Sequence, residues 1–188
     1  LHFFIVKDLS TYLFPKSFWK DVFLFIHLAA IVHEAKKSDR SKKSEYKKIN
    51  TDLTMNLANQ ASKNFVKRFI FISSIKVNGE YTYPYESFSA KDKGKPSDIY
   101  GNSKMISENK LLNLSKKNSM KVTIIRSPLV YGPGVKSNFL NIIKLAYFGF
   151  YLPFKSIDNK RSMIYVKNLV DFIIFCSNKS SASNKILM

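Results

Sequence analysis

Three short apolar runs constrain this chain more than any other feature. Asp21 to Leu28, Lys67 to Ile72 and Lys121 to Ile125 are dense in Phe, Ile, Leu and Val, and each has the length of a buried strand. Helically spaced segments separate them. Ile49, Leu53, Leu57 and Ala61 fall four apart within Glu45 to Asn64, and Met105, Leu111, Leu112 and Leu114 give Ser97 to Lys117 an apolar side. His2 to Val6 is a further apolar run. Strand alternating with helix implies an α/β fold, a parallel sheet covered on both faces. Apolar residues make up 45% of the 188 positions, enough for one ordinary core. The charged segment Lys36 to Lys48 reads as an exposed loop leading into the second of these elements.

In doubly wound sheets ligands bind beyond the carboxyl ends of the strands. The segments in question are Asp8-Leu9-Ser10, His27-Leu28-Ala29-Ala30, Ser73-Ser74-Ile75-Lys76, and Ser127-Pro128-Leu129-Val130-Tyr131-Gly132-Pro133-Gly134. Small or polar residues recur in all of them, as a crevice at the top of a sheet requires.

The formal net charge of +18 would suit an anionic partner. Yet only Arg40, Arg68, Arg126 and Arg161 are arginines, and the lysines are scattered. Sequence readers of nucleic acid depend on the planar fork of Arg, so the charge reads as compositional drift that also favours a phosphorylated substrate. Cys176 is the single cysteine, excludes an internal disulfide, and sits in an apolar run that suits a core position and a reducing cytoplasm. The longest apolar stretch, Val22 to Val32, is too short to span a bilayer. His27 and His33 have no Cys, His, Asp or Glu cluster at ligand spacing, so no metal site is expected, and His27 reads as a packed strand-end residue.

Tyr100 and Lys104 stand four residues apart, which on a helix puts both on one face. A free tyrosine titrates near 10, roughly, and is a poor base at neutral pH. A neighbouring ammonium favours the phenolate, and the phenol can then exchange a proton with a sugar hydroxyl or ketone. The pair alone is a weak signal. Ser73-Ser74, closing a strand about twenty-five residues earlier, strengthens it, because a serine there can donate to the same oxygen.

The ordered series His27 to Ala30, Asn50, Phe71 to Ser74, Tyr100 to Lys104, Arg126 to Gly134 and Arg161 to Asn168 resembles the extended short-chain dehydrogenase/reductases, the NAD-dependent epimerases and dehydratases of nucleotide sugars. The resemblance implies a Rossmann-like doubly wound sheet over residues 1–130. It also implies part of a small substrate-binding region over 131–188, interleaved with the last part of the sheet. Ser74, Tyr100 and Lys104 would be the catalytic triad, with Lys104 also holding the nicotinamide ribose. Asp8 and Leu9 would lie by the adenine, Leu28, Ala29 and Ala30 would line the cofactor, and Asn50 would anchor its side of the site. Pro128 and Leu129 would touch the nicotinamide. Ser74, Lys76, Asn138 and Arg161 would meet the substrate, with Arg161 gripping the diphosphate. The implied cofactor is NAD, with NADP left open. The implied partner is a UDP-linked sugar, and the implied assembly is a homodimer through the helices holding Asn50 and Lys104, with Met55 and Leu112 as apolar residues spare for the contact.

The family's glycine-rich fingerprint after the first strand is absent. None of the six glycines lies before Gly79, so the chain reads as a fragment lacking the first strands and the main pyrophosphate site. Sugar 4,6-dehydratases of the family carry Asp and Glu directly after the catalytic hydroxyl residue, where this chain has Ile75 and Lys76. That argues for an epimerase or a 4-keto reductase. A non-catalytic dinucleotide-binding relative is the competing class, and retention of Tyr100 and Lys104 speaks against it.

Overall fold

A computed structural model describes residues 5–6, 8–32, 40–135, 138–149 and 160–188. Six strands are present among them: β1 (Leu24–His27), β2 (Arg68–Ser74), β3 (Lys121–Ser127), β4 (Leu129–Tyr131), β5 (Met163–Tyr165) and β6 (Lys185–Leu187). The main sheet is parallel throughout, in the order β1-β2-β3-β6, and β4 and β5 form a separate parallel pair. The first two strands pair directly, with Leu24 opposite Arg68 and His27 opposite Phe71, in the parallel sense that the sequence implies. Next to it, Arg68 lies opposite Lys121 and Ser74 opposite Ser127, so these two strands end level.

The helices are α1 (Lys16–Trp19), α2 (Arg40–Tyr46), α3 (Leu53–Lys63), α4 (Ile99–Lys117), α5 (Asn138–Tyr147) and α6 (Val166–Asn178). A π-helical turn, Lys47–Asp52, joins α2 to α3 without a break. Alternation along the strands explains why both faces had to be covered. Phe69, Phe71, Val122 and Ile124 point to one side and pack with Trp19, Ala58, Ala61 and Leu111 from α1, α3 and α4 and with Met120 just ahead of β3. Ile70 and Ile125 point to the other and pack with Leu169, Ile173 and Cys176 of α6 and with Ala182. Each such fully buried side chain contributes about 1.5–3 kcal/mol of transfer free energy. The last turn of α6 is fastened to the sheet by Arg68, whose Nη1 donates to the carbonyls of Cys176, Ser177 and Lys179 at 3.1, 2.7 and 3.0 Å. Cys176 is a core residue, as its run suggests.

Several expectations change. Helix begins at Arg40, inside the segment read as a loop, because the Lys- and Ser-rich stretch Arg40–Tyr46 buries Tyr46 at 2% exposure and so earns tertiary support that its polarity hides. Of the run His2 to Val6, Ile5 and Val6 are irregular rather than strand, and residues 1–4 lie outside the described residues, as does His33. Met55 and Leu112 are half-buried against the core cluster that includes Phe69 and Leu111, so they are not spare apolar surface. Among the described residues no helix is long and apolar enough to cross a membrane. Also among them, no group of His, Cys, Asp or Glu could hold a metal ion.

Candidate active site

Ser74 is the last residue of β2 and caps the 3₁₀ turn Ile75–Val77, its Oγ accepting from the backbone N–H of Lys76 at 3.3 Å. Across from it begins α4. Asp98 is the N-cap of that helix, and its Oδ1 accepts from the Gly101 N–H at 2.6 Å. The other carboxylate oxygen takes Lys76 Nζ at 2.7 Å, so the turn after Ser74 and the first turn of α4 are tied together. Gly101 permits this closeness. A Cβ there would stand 2.6 Å from the Lys76 carbonyl oxygen. The result is that the Ser74 side chain acts on the Tyr100 hydroxyl, favouring its ionised form.

Lys104 follows one turn later and is 2% exposed. Its Nζ donates to the Ile72 carbonyl at 2.8 Å and sits 4.5 Å from the centre of the Phe71 ring and 5.9 Å from that of Tyr100. Burial pulls the ammonium down to about 8, opposed by the charge of Glu108. Tyr100 departs from expectation. Burial raises its hydroxyl above the usual tyrosine range, the Ser74 hydrogen bond works the other way, and the charge of Asp98 and Tyr46 adds to the rise. The ammonium of Lys104 is turned to the Ile72 carbonyl, so the expected lowering is not seen and Tyr100 rests as a phenol.

On the other side of α4, Asn50 is completely buried in the π-helical turn. It accepts from the Ile31 N–H at 2.8 Å, donates to the Ile31 carbonyl at 3.0 Å, and donates to Ser103 Oγ at 2.9 Å. One side chain thus clamps the segment leaving β1 to the helix that carries Lys104. The π-helical geometry aims Asn50 inward while Thr51 also bonds the Ser103 carbonyl at 3.2 Å. His27 ends β1, packs on Phe71 at 5.9 Å and bonds Thr54 Oγ1 through Nε2 at 2.9 Å. It is a packed strand-end residue, and burial, with the nearby Lys104 charge, lowers it to about 4.

Leu28 and Ala29 are exposed beyond β1, and with Val6, Leu9, Phe25 and His27 they line an open cleft of about 430 Å³. Asp8 stands outside this cleft, in a turn closed by Ser10 and paired with Lys48 at 3.2 Å. Pro128 and Leu129 are half-buried just past the end of β3. Leu129 opens β4 opposite Met163, which places exposed Arg161 just ahead of the residue beside Leu129. Asn138 opens α5. Lys76 is held by Asp98 and lies 3.9 Å from Glu80.

A model of the NAD dependent epimerase/dehydratase family matches residues 16–187. The chain belongs to that family. It is 45% identical over 170 residues, 90% of its length, to a UDP-glucose 4-epimerase of Vibrio cholerae, covering 52% of that protein. It is 32% identical over 139 residues to an N-acetyl-α-D-glucosaminyl-diphospho-ditrans,octacis-undecaprenol 4-epimerase of Escherichia coli O157:H7, covering 73% of the chain and 41% of the relative. The UDP-glucuronic acid 4-epimerase of Bacillus cereus, solved with UDP-glucuronic acid and NAD, shares the fold at a TM-score of 0.75 and 23% identity, over 97% of this chain and 56% of that one. The chain spans about half the length of the curated relatives it matches.

Sequence reasoning missed two parts of this candidate site. Asp98 was legible in principle as an N-cap two residues before Tyr100. A buried cluster of Ser73, Asn78, Glu108 and Arg126 beneath the strand ends was not, because its members come from four separate segments.

Proposed function

We propose that this chain carries the acid–base centre of an NAD-dependent nucleotide-sugar 4-epimerase acting on UDP-hexoses. The observation that carries the reading is geometric: the Lys104 ammonium lies 5.9 Å from the Tyr100 ring, and Ser74, which acts on the Tyr100 hydroxyl, ends β2 at the carboxyl edge of a parallel sheet. The relatives supply the substrate class: one is a UDP-glucose 4-epimerase, and the structural neighbour was solved with a UDP-sugar and NAD.

The residues present suit a dinucleotide. Leu28 and Ala29 offer a bare apolar wall at the end of β1. Lys104 brings a desolvated ammonium whose protons can serve ribose hydroxyls as well as the Ile72 carbonyl. Asn50 keeps these two walls at a fixed separation. When bound, NAD would supply the hydride acceptor for the sugar C4. The chain's own work is proton handling. Tyr100 first gives its own proton to solvent; as a phenolate supported by the Lys104 ammonium it takes the proton of the 4-hydroxyl and returns it, while Ser74 hydrogen-bonds the same oxygen. Arg161, exposed beside the β4–β5 pair, is the diphosphate ligand in this reading, with Asn138 meeting the phosphate or sugar and Lys76 also on the substrate. Pro128 and Leu129 close the nicotinamide end. Ile75 and Lys76 in place of an acidic pair argue against the water-loss chemistry of the dehydratases. The single buried cysteine fits a reducing cytoplasm.

The test is conversion. The protein supplied with NAD and UDP-glucose is expected to produce UDP-galactose, followed by the anomeric proton signals. Consumption of a UDP-4-keto sugar with stoichiometric NADH oxidation, and no epimerisation, would assign a reductase instead. No conversion of any UDP-hexose contradicts the reading.

A further inference from the structure

The residues directly beneath the catalytic ones are charged and dry. Glu108 lies one turn beyond Lys104 on α4 and is 1% exposed, and Arg126, near the end of β3, is 4% exposed. Their side chains meet as a fork, Nε to Oε1 at 3.0 Å and Nη2 to Oε2 at 2.7 Å. Ser73, opposite Arg126 in the sheet register, donates its hydroxyl to Oε1 of the same carboxylate at 2.6 Å. The third arm of the guanidinium, Nη1, donates to Asn78 Oδ1 at 2.9 Å, and Asn78 Nδ2 donates onward to the Ser89 carbonyl at 2.8 Å.

Taken together, these bonds grip Ser74 from both sides. Residue 73 is tied to α4, and residue 78, at the end of the turn that Ser74 caps, is tied to β3. The helix that receives the first tie is the one that carries Tyr100 and Lys104. We propose that Ser73, Glu108, Arg126 and Asn78 are positioning residues that set Ser74 against Tyr100 and keep a carboxylate under Lys104. The inference rests on the assignment of Ser74, Tyr100 and Lys104 as the reacting groups. It adds residues that touch neither sugar nor cofactor.

Two physical arguments favour positioning over plain stability. A buried ion pair gains little over a well-packed apolar pair, because desolvation offsets its attraction. What it offers is fixed direction: a fork, a hydroxyl and an amide leave Ser74 little freedom. Misplacement by about 1 Å can cost on the order of 10²-fold in rate. The second argument is electrostatic. The groups facing Lys104 are the Phe71 ring and Ile72 carbonyl from β2, neutral His27 from β1, and Tyr100 and Glu108 from α4. Of these Glu108 is the one whose charge holds the Lys104 proton against the pull of burial.

Removing Glu108 alone strands the Arg126 charge in the core, which is strongly destabilising. The experiment therefore uses Ser73→Ala, which leaves both charges, and the double variant Glu108→Gln with Arg126→Gln, which removes both. Each is characterised by kcat, KM and thermal unfolding. Lys104 is followed by ¹³Cε-lysine NMR titration, its resonance assigned by its loss in Lys104→Met. The expected result is a fall in kcat of about tenfold or more in both variants, with KM within about twofold. In the double variant alone, the Lys104 resonance should titrate at lower pH than in the parent. Folded variants with parental kcat and a parental Lys104 titration overturn the proposal. The titration needs no turnover, so it still decides the role of Glu108 if the parent shows no epimerase activity, which is a failure of the site assignment and not of this inference.

Discussion

At the scale of single residues, burial governs the chemistry. Tyr100 and Lys104 were readable from their spacing, and Ser74 from its place at a strand end. Their protonation was not readable, because it depends on which way Lys104 turns and how dry the site is. His27 shows the same effect and gives a clear expectation. Its imidazole is lowered from 6.5 to about 4, with burial the largest cause. In the folded chain it stays neutral between those values, while in the unfolded chain it binds a proton. Stability from this group is therefore complete above pH 6.5 and is lost as pH falls toward 4, by up to about 3 kcal/mol. Urea unfolding across that range should show the decline, and His27→Gln should flatten it. An unchanged slope in the variant would mean that another group is responsible. The Ser73–Glu108–Arg126–Asn78 cluster was illegible for a different reason. Glu108 and Arg126 are eighteen residues apart on different elements, and nothing in either segment marks them as partners.

At the scale of elements, the strongly apolar runs declared themselves and the short or polar ones did not. β2 and β3 are covered on both faces, so they read as unbroken apolar stretches. α4 was found from its spacing and ended at Lys117 as expected, beginning at Ile99 behind its Asp98 cap. β4, β5 and β6 have three residues each, too few for a period to show. α2 was mistaken for a loop because only Tyr46 among its residues signals a core contact. The seam between α4 and the 75–77 turn is where an element-scale change should tell most. In Gly101→Ala the new methyl would meet the Lys76 carbonyl at 2.6 Å and Pro96 Cβ at 3.0 Å. Backbone on one side cannot yield cheaply, so the helix start should move, at a cost of about 1–3 kcal/mol. Thermal unfolding should register the loss, and turnover should fall with it as Tyr100 withdraws from Ser74. Parental stability and turnover in this variant would show that the two elements are not in tight contact.

At the scale of the whole molecule, the parallel sheet gathers at one edge residues that lie far apart in the chain: His27, Ser74, Ser127 and, across from them, Tyr100. The sheet order also explains why α6 and β6 do not stand apart, since α6 covers one face and β6 pairs with β3. The homodimer expected through α2–α3 and α4 remains a proposal. Ile106, 37% exposed on α4, takes the place of Met55 and Leu112 as an apolar residue available to such a contact. Light scattering should give a dimer, and a monomer at micromolar concentration would contradict that assembly. The central claim, that Tyr100 moves the proton, is tested most directly by steady-state kinetics of Tyr100→Phe on the UDP-hexose that the parent converts. The substitution keeps the ring and removes the hydroxyl. The account predicts a fall in kcat of about 10²- to 10⁴-fold with little change in KM. Turnover close to the parental rate would contradict it and remove α4 from the active site.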